Sequence, residues 1–373
     1  MKQLSIKQLS PKQLALVRPS PELLLRIGQL ILIWGVIALA LYPPPMTWVE
    51  RVYSNQIYPA TQFWFLPVTD LFPFPVGDAL FIALLVSLVI WWGRSLRAGG
   101  LRQLPLTVIV LALDTLTLAA VVYFLFLALW GLNYSREPLT AKIDYNAQRI
   151  TINAEHALLA ETIQQLNAES VVVHSQPLPS NDVVIRHLFP DSVGTLGLLG
   201  TRTPFVPSLP KTSLFDQYFE ATAVTGFTDP FTHEVTLTGS LLPIERPFVL
   251  AHEWSHVAGY ADESEANFIS FVTCQRSDLP LARYSAWLAL YSYLPKPPEG
   301  VAPLAPQAAA DLQAIQARIQ RTQNKTASHV ETQAYDHYLK SQRVEAGISS
   351  YGLFVQLILG TQFGTAWAPL PRK

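Results

Sequence analysis

The hydrophobic positions of this chain fall into two regimes. Up to residue 132 they come in long unbroken runs, and beyond it they recur at helical or strand spacing between polar residues. Three runs, at about 27–42, 76–93 and 106–132, hold few charges and approach or exceed the roughly 20 residues that a helix needs to cross a bilayer. The first is broken by Pro43, Pro44 and Pro45, the second ends at Gly93 and Arg94, and the third carries one acid, Asp114. An ionisable group at that depth faces other helices or water, and helix packing is the role expected of it here. Trp91, Trp92, Tyr123, Trp130 and Tyr134 stand near the ends of the runs, where aromatic rings anchor spans at the membrane interface.

Past the third run, Leu158, Leu159, Ile163 and Leu166 share one side of a helix predicted over Ala154 to Leu166. Val171 to Val173 and Val183 to Ile185 are β-branched runs between Pro and Ser, which predicts strands. The Gly- and Pro-rich text from Gly194 to Lys211 reads as a loop. Phe227 to Thr238 alternates Phe231, His233, Val235 and Leu237 against Thr232, Glu234, Thr236 and Thr238, as a half-buried strand does. Leu281 to Leu294, Ala308 to Ile319, Glu331 to Arg343 and Tyr351 to Leu359 read as helices, with Gly347 stopping the third. The expected architecture is a multi-pass α-helical membrane anchor, residues 1–135, followed by an α+β domain, residues 136–373, mainly helical with a small sheet.

Composition agrees with that division. The 373 residues are 50% hydrophobic and only 14% charged, too apolar for an ordinary soluble enzyme. A net charge of −1 supplies no basic face for nucleic acid. Cys274 is the sole cysteine, which rules out an intrachain disulfide and reads as a small buried apolar residue. Lys2, Lys7, Lys12 and Arg18 precede the first span, and Arg94, Arg97 and Arg102 lie between the second and third. By the positive-inside rule both segments are cytoplasmic, so three spans leave everything after Asn133 outside. Ala38-Leu39-Ala40 resembles a signal-peptidase site, but the long leader and the further spans favour an uncleaved first helix.

The chemistry is concentrated in His252-Glu253-Trp254-Ser255-His256. Residues four apart share a helix face, so His252 and His256 can offer two imidazoles to one tetrahedral zinc, with Glu253 beside the metal-bound water. Such a motif arises by chance in roughly one chain of this length in a hundred, and a solvated polar face is its ordinary alternative reading. The surroundings favour a site. Pro247 opens a helix, Phe248 to Ala251 make its approach apolar, and Gly259 stops it. Asp262 with Glu265 then reads as a capping box for a second helix, nearly antiparallel to the first.

Zinc needs a third ligand, and Asp262, Glu263 and Glu265 are available. Glu263 is preferred. With Asn267 four residues on, it resembles the second zinc helix of thermolysin-like and membrane Glu-zincin peptidases, in which the Glu binds metal and the later residue hydrogen-bonds a ligand His. Asp262 would fill the last place of the metzincin pattern instead.

More broadly, the chain resembles the bacterial membrane proteins grouped as domain of unknown function 3810. The residues that carry the resemblance are Trp130-Gly131-Leu132-Asn133-Tyr134 with Arg136, Pro230-Phe231-Thr232, the stretch His252 to Phe268, Tyr335 to Leu339, and Gly347, Ser350 and Tyr351. These blocks reach from the membrane part almost to the carboxyl terminus. The resemblance implies a bacterial cell-membrane protein with a zincin-like domain, and it leaves activity and substrate unassigned. In that family the position of Asp262 is often basic, which favours Glu263 or Glu265 as the ligand.

The function expected is therefore a membrane-anchored, zinc-dependent metallopeptidase that hydrolyses peptides or proteins of the envelope, with Glu253 as general base. Tyr351, Tyr335, His337 and Arg343 are candidates for the second oxyanion donor, and His233 reads as a packed residue. A non-catalytic membrane scaffold with a structural zinc is the alternative, and intramembrane proteolysis a weaker third, because the motif lies in no run long enough to span.

Overall fold

The computed structural model describes residues 20–201, 206–297, 302–344 and 352–372, leaving aside the side chains of 100–102. The basic leader residues, Gly347, Ser350, Tyr351 and the Arg102 side chain therefore lie outside the described residues.

The chain is mostly helical, and three of its helices are long and apolar enough to cross a membrane: Pro21–Leu41, Val76–Gly99 and Gln103–Leu129. Helix α1 (Pro21–Leu41) starts ahead of its apolar run because Ser20 caps it, accepting from the Leu23 amide at 3.2 Å, with Pro21 in the first turn. The second and third spans form one hydrogen-bonded helical stretch, α3 (Val76–Leu129), in which Arg94 and Arg97 are helical rather than part of a loop. It is not straight. Trp92 Nε1 donates to Thr115 Oγ1 at 3.0 Å, whereas 23 residues of straight helix would separate them by about 35 Å. The chain thus turns back between Gly99 and Gln103, where a Cβ on Gly99 would collide with the Thr107 hydroxyl.

Two compact units result, and neither is continuous in sequence. Of the described residues, one comprises those up to Pro43 with Leu84–Ala128, the other Pro44–Ala83 with those from Leu129 on. In the first, Asp114 makes an ion pair with Arg26 and accepts from Gln29 Nε2 at 2.7 Å, the packing role expected of it. In the second, residues 44–83, which the sequence grouped with the anchor, pack with the later part of the chain. Val49–Ile57 is a π-helical stretch, followed by α2 (Tyr58–Thr69). The start of α3 is gripped by the same unit: Glu234, fully buried, accepts from the Val76 and Gly77 amides at 3.0 and 2.8 Å, and Lys211 Nζ pairs with it at 2.6 Å.

The strands expected at 171–173 and 183–185 are instead parts of helices α4 (Ile152–His174) and α5 (Asn181–Leu198). Each valine run is short, while the surrounding buried positions keep helical spacing: Leu159, Ile163, Leu166 and Ser170 in α4, Val184, Leu188 and Ser192 in α5. A stripe buried over a whole helix outweighs the β preference of three residues. After α6 (Asp216–Thr222), the strand expected over Phe227 to Thr238 is a hairpin, β1 (Gly226–Thr228) antiparallel to β2 (Val235–Leu237), with Phe227 opposite Thr236. The turn between them follows Asp229, whose Oδ1 accepts from the Phe231 and Thr232 amides at 2.8 and 2.7 Å.

Helices α7 (Arg246–Val257) and α8 (Glu263–Arg276) form the centre of the unit. They run antiparallel: Ser270 Oγ donates to the Phe248 carbonyl at 2.6 Å, while Glu263 lies beside His256. Gly259 makes the turn with φ +82, and Asp262 caps α8 by accepting from the Ser264 and Glu265 amides at 2.9 and 3.1 Å. Nearly every α8 residue is buried, with Phe268, Ile269, Phe271 and Val272 in the main core beside Trp254, Trp287 and Phe354. Helices α9 (Pro280–Tyr293), α10 (Pro306–Thr322), α11 (Lys325–Ser341) and α12 (Leu353–Gly360) complete it, within a few residues of the expected helices.

Candidate metal centre

The four-residue spacing on α7 and the short turn into α8 bring three side chains to one point. His252 Nε2 and His256 Nε2 are 3.1 Å apart, and Glu263 Oε2 lies 3.1 Å from the first and 3.4 Å from the second. Ligand atoms about 2.0–2.1 Å from a tetrahedral zinc stand about 3.3 Å from one another, so this triangle has the size a zinc ion requires. Glu263 Oε2 is buried and has no hydrogen-bond partner of its own among the described residues. The donor set, two imidazoles and a carboxylate, suits zinc and leaves the fourth position open; among the described residues the group has three members.

The local geometry separates the three acids. Asp262 is committed to its cap, and Glu265 turns away to accept from the Leu139 amide at 2.6 Å. Glu263 alone of the three faces the histidines, its other oxygen accepting from the Tyr335 hydroxyl of α11. Burial by itself would raise the Glu263 carboxyl, but the two imidazoles outweigh it and hold it well below the usual range. Burial also disfavours a charged His256, yet Glu263, then Glu253 and the Tyr260 carbonyl, push it up to about 9.

The orienting contacts differ from expectation. Asn267 does not bond a ligand histidine; its amide donates to the Tyr293 hydroxyl at 3.4 Å. His256 is oriented instead by the Tyr260 carbonyl, 2.8 Å from Nδ1, which leaves Nε2 as the nitrogen turned to the shared point. The turn that Gly259 allows brings that carbonyl back over the helix end. Of the proposed oxyanion donors, Tyr335 is the one with a described hydrogen bond to the cluster, and Tyr351 lies outside the described residues.

Glu253 faces β1. Its Oε2 accepts from Thr228 Oγ1 at 2.8 Å, and its carboxylate lies so close over Gly226 that a Cβ there would meet Cδ and Cγ at 2.9 Å. Burial raises the Glu253 carboxyl above the ordinary range, against the opposing pull of the two histidines and Thr228. Thr228 and Gly226 were not legible as site residues, since a strand edge carries no motif. His233, read as a packed residue, is one: fully buried, with φ 60, it has Nε2 3.0 Å from Thr61 Oγ1 and its ring edge-on to Tyr58.

The carboxyl end of α7 is also held from outside the motif. Amides of the turn return to the Trp254, Ser255 and His256 carbonyls, and side chains from early in the chain reach those from His256 to Gly259. Trp130 Nε1 donates to the His256 carbonyl at 3.2 Å and Tyr58 Oη to that of Val257 at 3.0 Å, which Gln62 Nε2 also reaches. Arg136 Nη1 reaches the Ala258 and Gly259 carbonyls at 3.1 and 3.0 Å, while its Nε and Nη2 fork onto Glu50 at 2.9 and 3.1 Å. Lys142 adds a 2.7 Å contact to Glu50, and the Arg136 guanidinium stacks 4.3 Å over Tyr260. Burial would raise the Glu50 carboxyl; the two cations reverse that and bring it down to about 2.

Among known families, the one described as Protein of unknown function (DUF3810) matches residues 53–359, and the chain belongs to it. No curated protein and no solved structure matches the chain.

Proposed function

We propose that this chain is a membrane-anchored, zinc-dependent metallopeptidase with a zincin-like site, its amino terminus cytoplasmic and the unit bearing the site outside the cell membrane. The observation that carries the reading is the convergence of His252 Nε2, His256 Nε2 and the buried Glu263 Oε2 at the spacing of tetrahedral zinc ligands. When bound there, zinc supplies a Lewis acid that polarises a carbonyl and acidifies a water.

The chain's own residues supply the rest. Thr228 fixes Glu253 Oε2, leaving Oε1 without a hydrogen bond among the described residues to take the water's proton and hand it to the leaving amine. Burial raises that carboxyl above its ordinary range, which makes it a stronger base than an exposed carboxylate. A purely structural zinc site would have no use for Glu253 and would close its fourth position with protein. Strand β1, lying against α7 beside Glu253, supports an extended peptide as substrate.

Three spans would put residues 44–75 and everything after the third span on the same side of a membrane, in keeping with their grouping in one unit. The basic residues of the leader and between the second and third spans favour the cytoplasm for the opposite side.

The test is zinc stoichiometry on the detergent-solubilised full chain, followed by cleavage of a peptide library. Zinc retained in wild type, Glu253→Gln, Asp262→Asn and Glu265→Gln but lost in His252→Ala, His256→Ala and Glu263→Ala is the expected result, with cleavage lost in Glu253→Gln. A folded wild-type protein that takes up no zinc overturns the reading.

A further inference from the structure

Helix α2 has two faces, and one of them is exposed among the described residues. Tyr58, Gln62, Leu66 and Thr69, spaced for one side of a helix, are buried, and the first two donate to the end of α7. The other side presents Phe63, Trp64 and Val68, with Trp64 74% exposed, and the chain continues into Leu71, 79% exposed, and Phe72. No charged residue occurs between Arg51 and Asp70. Other exposed helices of the same unit are unlike this: α11 turns Lys325, Thr326, His329, Thr332, Gln333 and Lys340 outward. Large contiguous apolar surface of this kind marks a site of association.

Chain continuity identifies the partner. The segment leaves one span at Leu41 and enters the next at Val76, so it is tethered to a bilayer at both ends. Its exposed residues are the Trp and Phe rings that settle at the boundary between headgroups and acyl chains. We infer that α2 lies in the bilayer interface with Phe63, Trp64 and Val68 immersed, and that its opposite face holds the carboxyl end of α7 at the membrane surface. Unlike a free amphipathic helix, α2 has no charged side; its second face is fastened to protein through Tyr58 and Gln62. Resting on the peptidase reading above, one consequence is a substrate class: the bonds presented to Glu253 belong to chains at the membrane surface, such as the ends of transmembrane segments or lipid-anchored peptides, rather than to freely diffusing proteins.

The test uses the full chain in phosphatidylethanolamine and phosphatidylglycerol vesicles, with single cysteines spin-labelled at Trp64, Val68 and, as exposed controls, Val171 on α4 and Val330 on α11. The native Cys274 is fully buried and stays unlabelled. Collision with oxygen, which partitions into lipid, is compared with collision with a nickel chelate, which stays in water. Labels at 64 and 68 are expected to favour oxygen several-fold over the labels at 171 and 330. Nickel access at 64 and 68 equal to that at the controls overturns the inference, and so does exclusion of both reagents with spin–spin broadening, which would mean that a second copy covers the face. Neither result depends on zinc or activity, so a failed peptidase reading leaves this test intact.

Discussion

Trp130 Nε1 lies 3.2 Å from the carbonyl oxygen of His256 and donates a hydrogen bond to it. The first residue beyond the third span thus holds the backbone of a candidate metal ligand. Trp130→Phe keeps an aromatic ring against His256 and removes the donor. The carbonyl keeps the Gly259 amide at 2.9 Å, so the expected loss is that of one hydrogen bond, about 0.5–1.5 kcal/mol of stability, with weaker zinc retention on dialysis against a chelator. Unchanged melting and zinc content would mean that the contact is incidental.

Arg136 carries more. It satisfies the two carbonyls that follow α7 and neutralises Glu50, itself buried, so Arg136→Ala leaves a buried carboxylate with Lys142 as its remaining cation. Breaking one side of such a pair costs about 3–5 kcal/mol, and denaturant titration in detergent should register a loss of that order. Arg136→Lys recovers part of the charge and none of the fork.

A truncated protein starting at Asn133 would carry the whole motif but lack Glu50, Tyr58, Gln62 and Trp130. It is expected to aggregate or to lose zinc readily, whereas the full chain stays folded and loaded. A stable, zinc-binding truncation would show that the early segment is dispensable.

Gly226 offers a test of Glu253 that leaves the motif untouched. In Gly226→Ala the new methyl group collides with the Glu253 carboxylate, so proton transfer suffers while His252, His256 and Glu263 keep their geometry. Cleavage should fall by about 10²–10⁴-fold, as when a general base is lost, with zinc content unchanged. Equal loss of zinc would point to distortion of α7 as a whole.

His233 makes stability pH-dependent. Burial lowers it from 6.5 to about 4. Between those values the unfolded chain binds a proton that the folded chain does not, so stability is complete above about pH 6.5 and falls as the pH drops toward 4. The total is on the order of 3 kcal/mol. His233→Asn, which tolerates the left-handed backbone, should flatten that part of the profile measured by thermal melts.

Residue patterns alone determined a good deal here. The three spans followed from run length, α7 and α8 from Pro247, Gly259 and Asp262, and the pairing of His252 with His256 from helical spacing. Each is a local property, fixed by residues within a few turns of one another. What tertiary structure decided depended on long-range burial. It made helix of the valine runs at 171–173 and 183–185, and a hairpin of 227–238. It turned Glu263 rather than Asp262 or Glu265 to the histidines, because the other two carboxylates are taken up by backbone amides. It also joined residues 44–83 to the unit bearing the site, where Tyr58 and Gln62 supply the donors for the Val257 carbonyl that ends α7, and Trp130 and Arg136 reach the His256, Ala258 and Gly259 carbonyls, all from more than a hundred residues away.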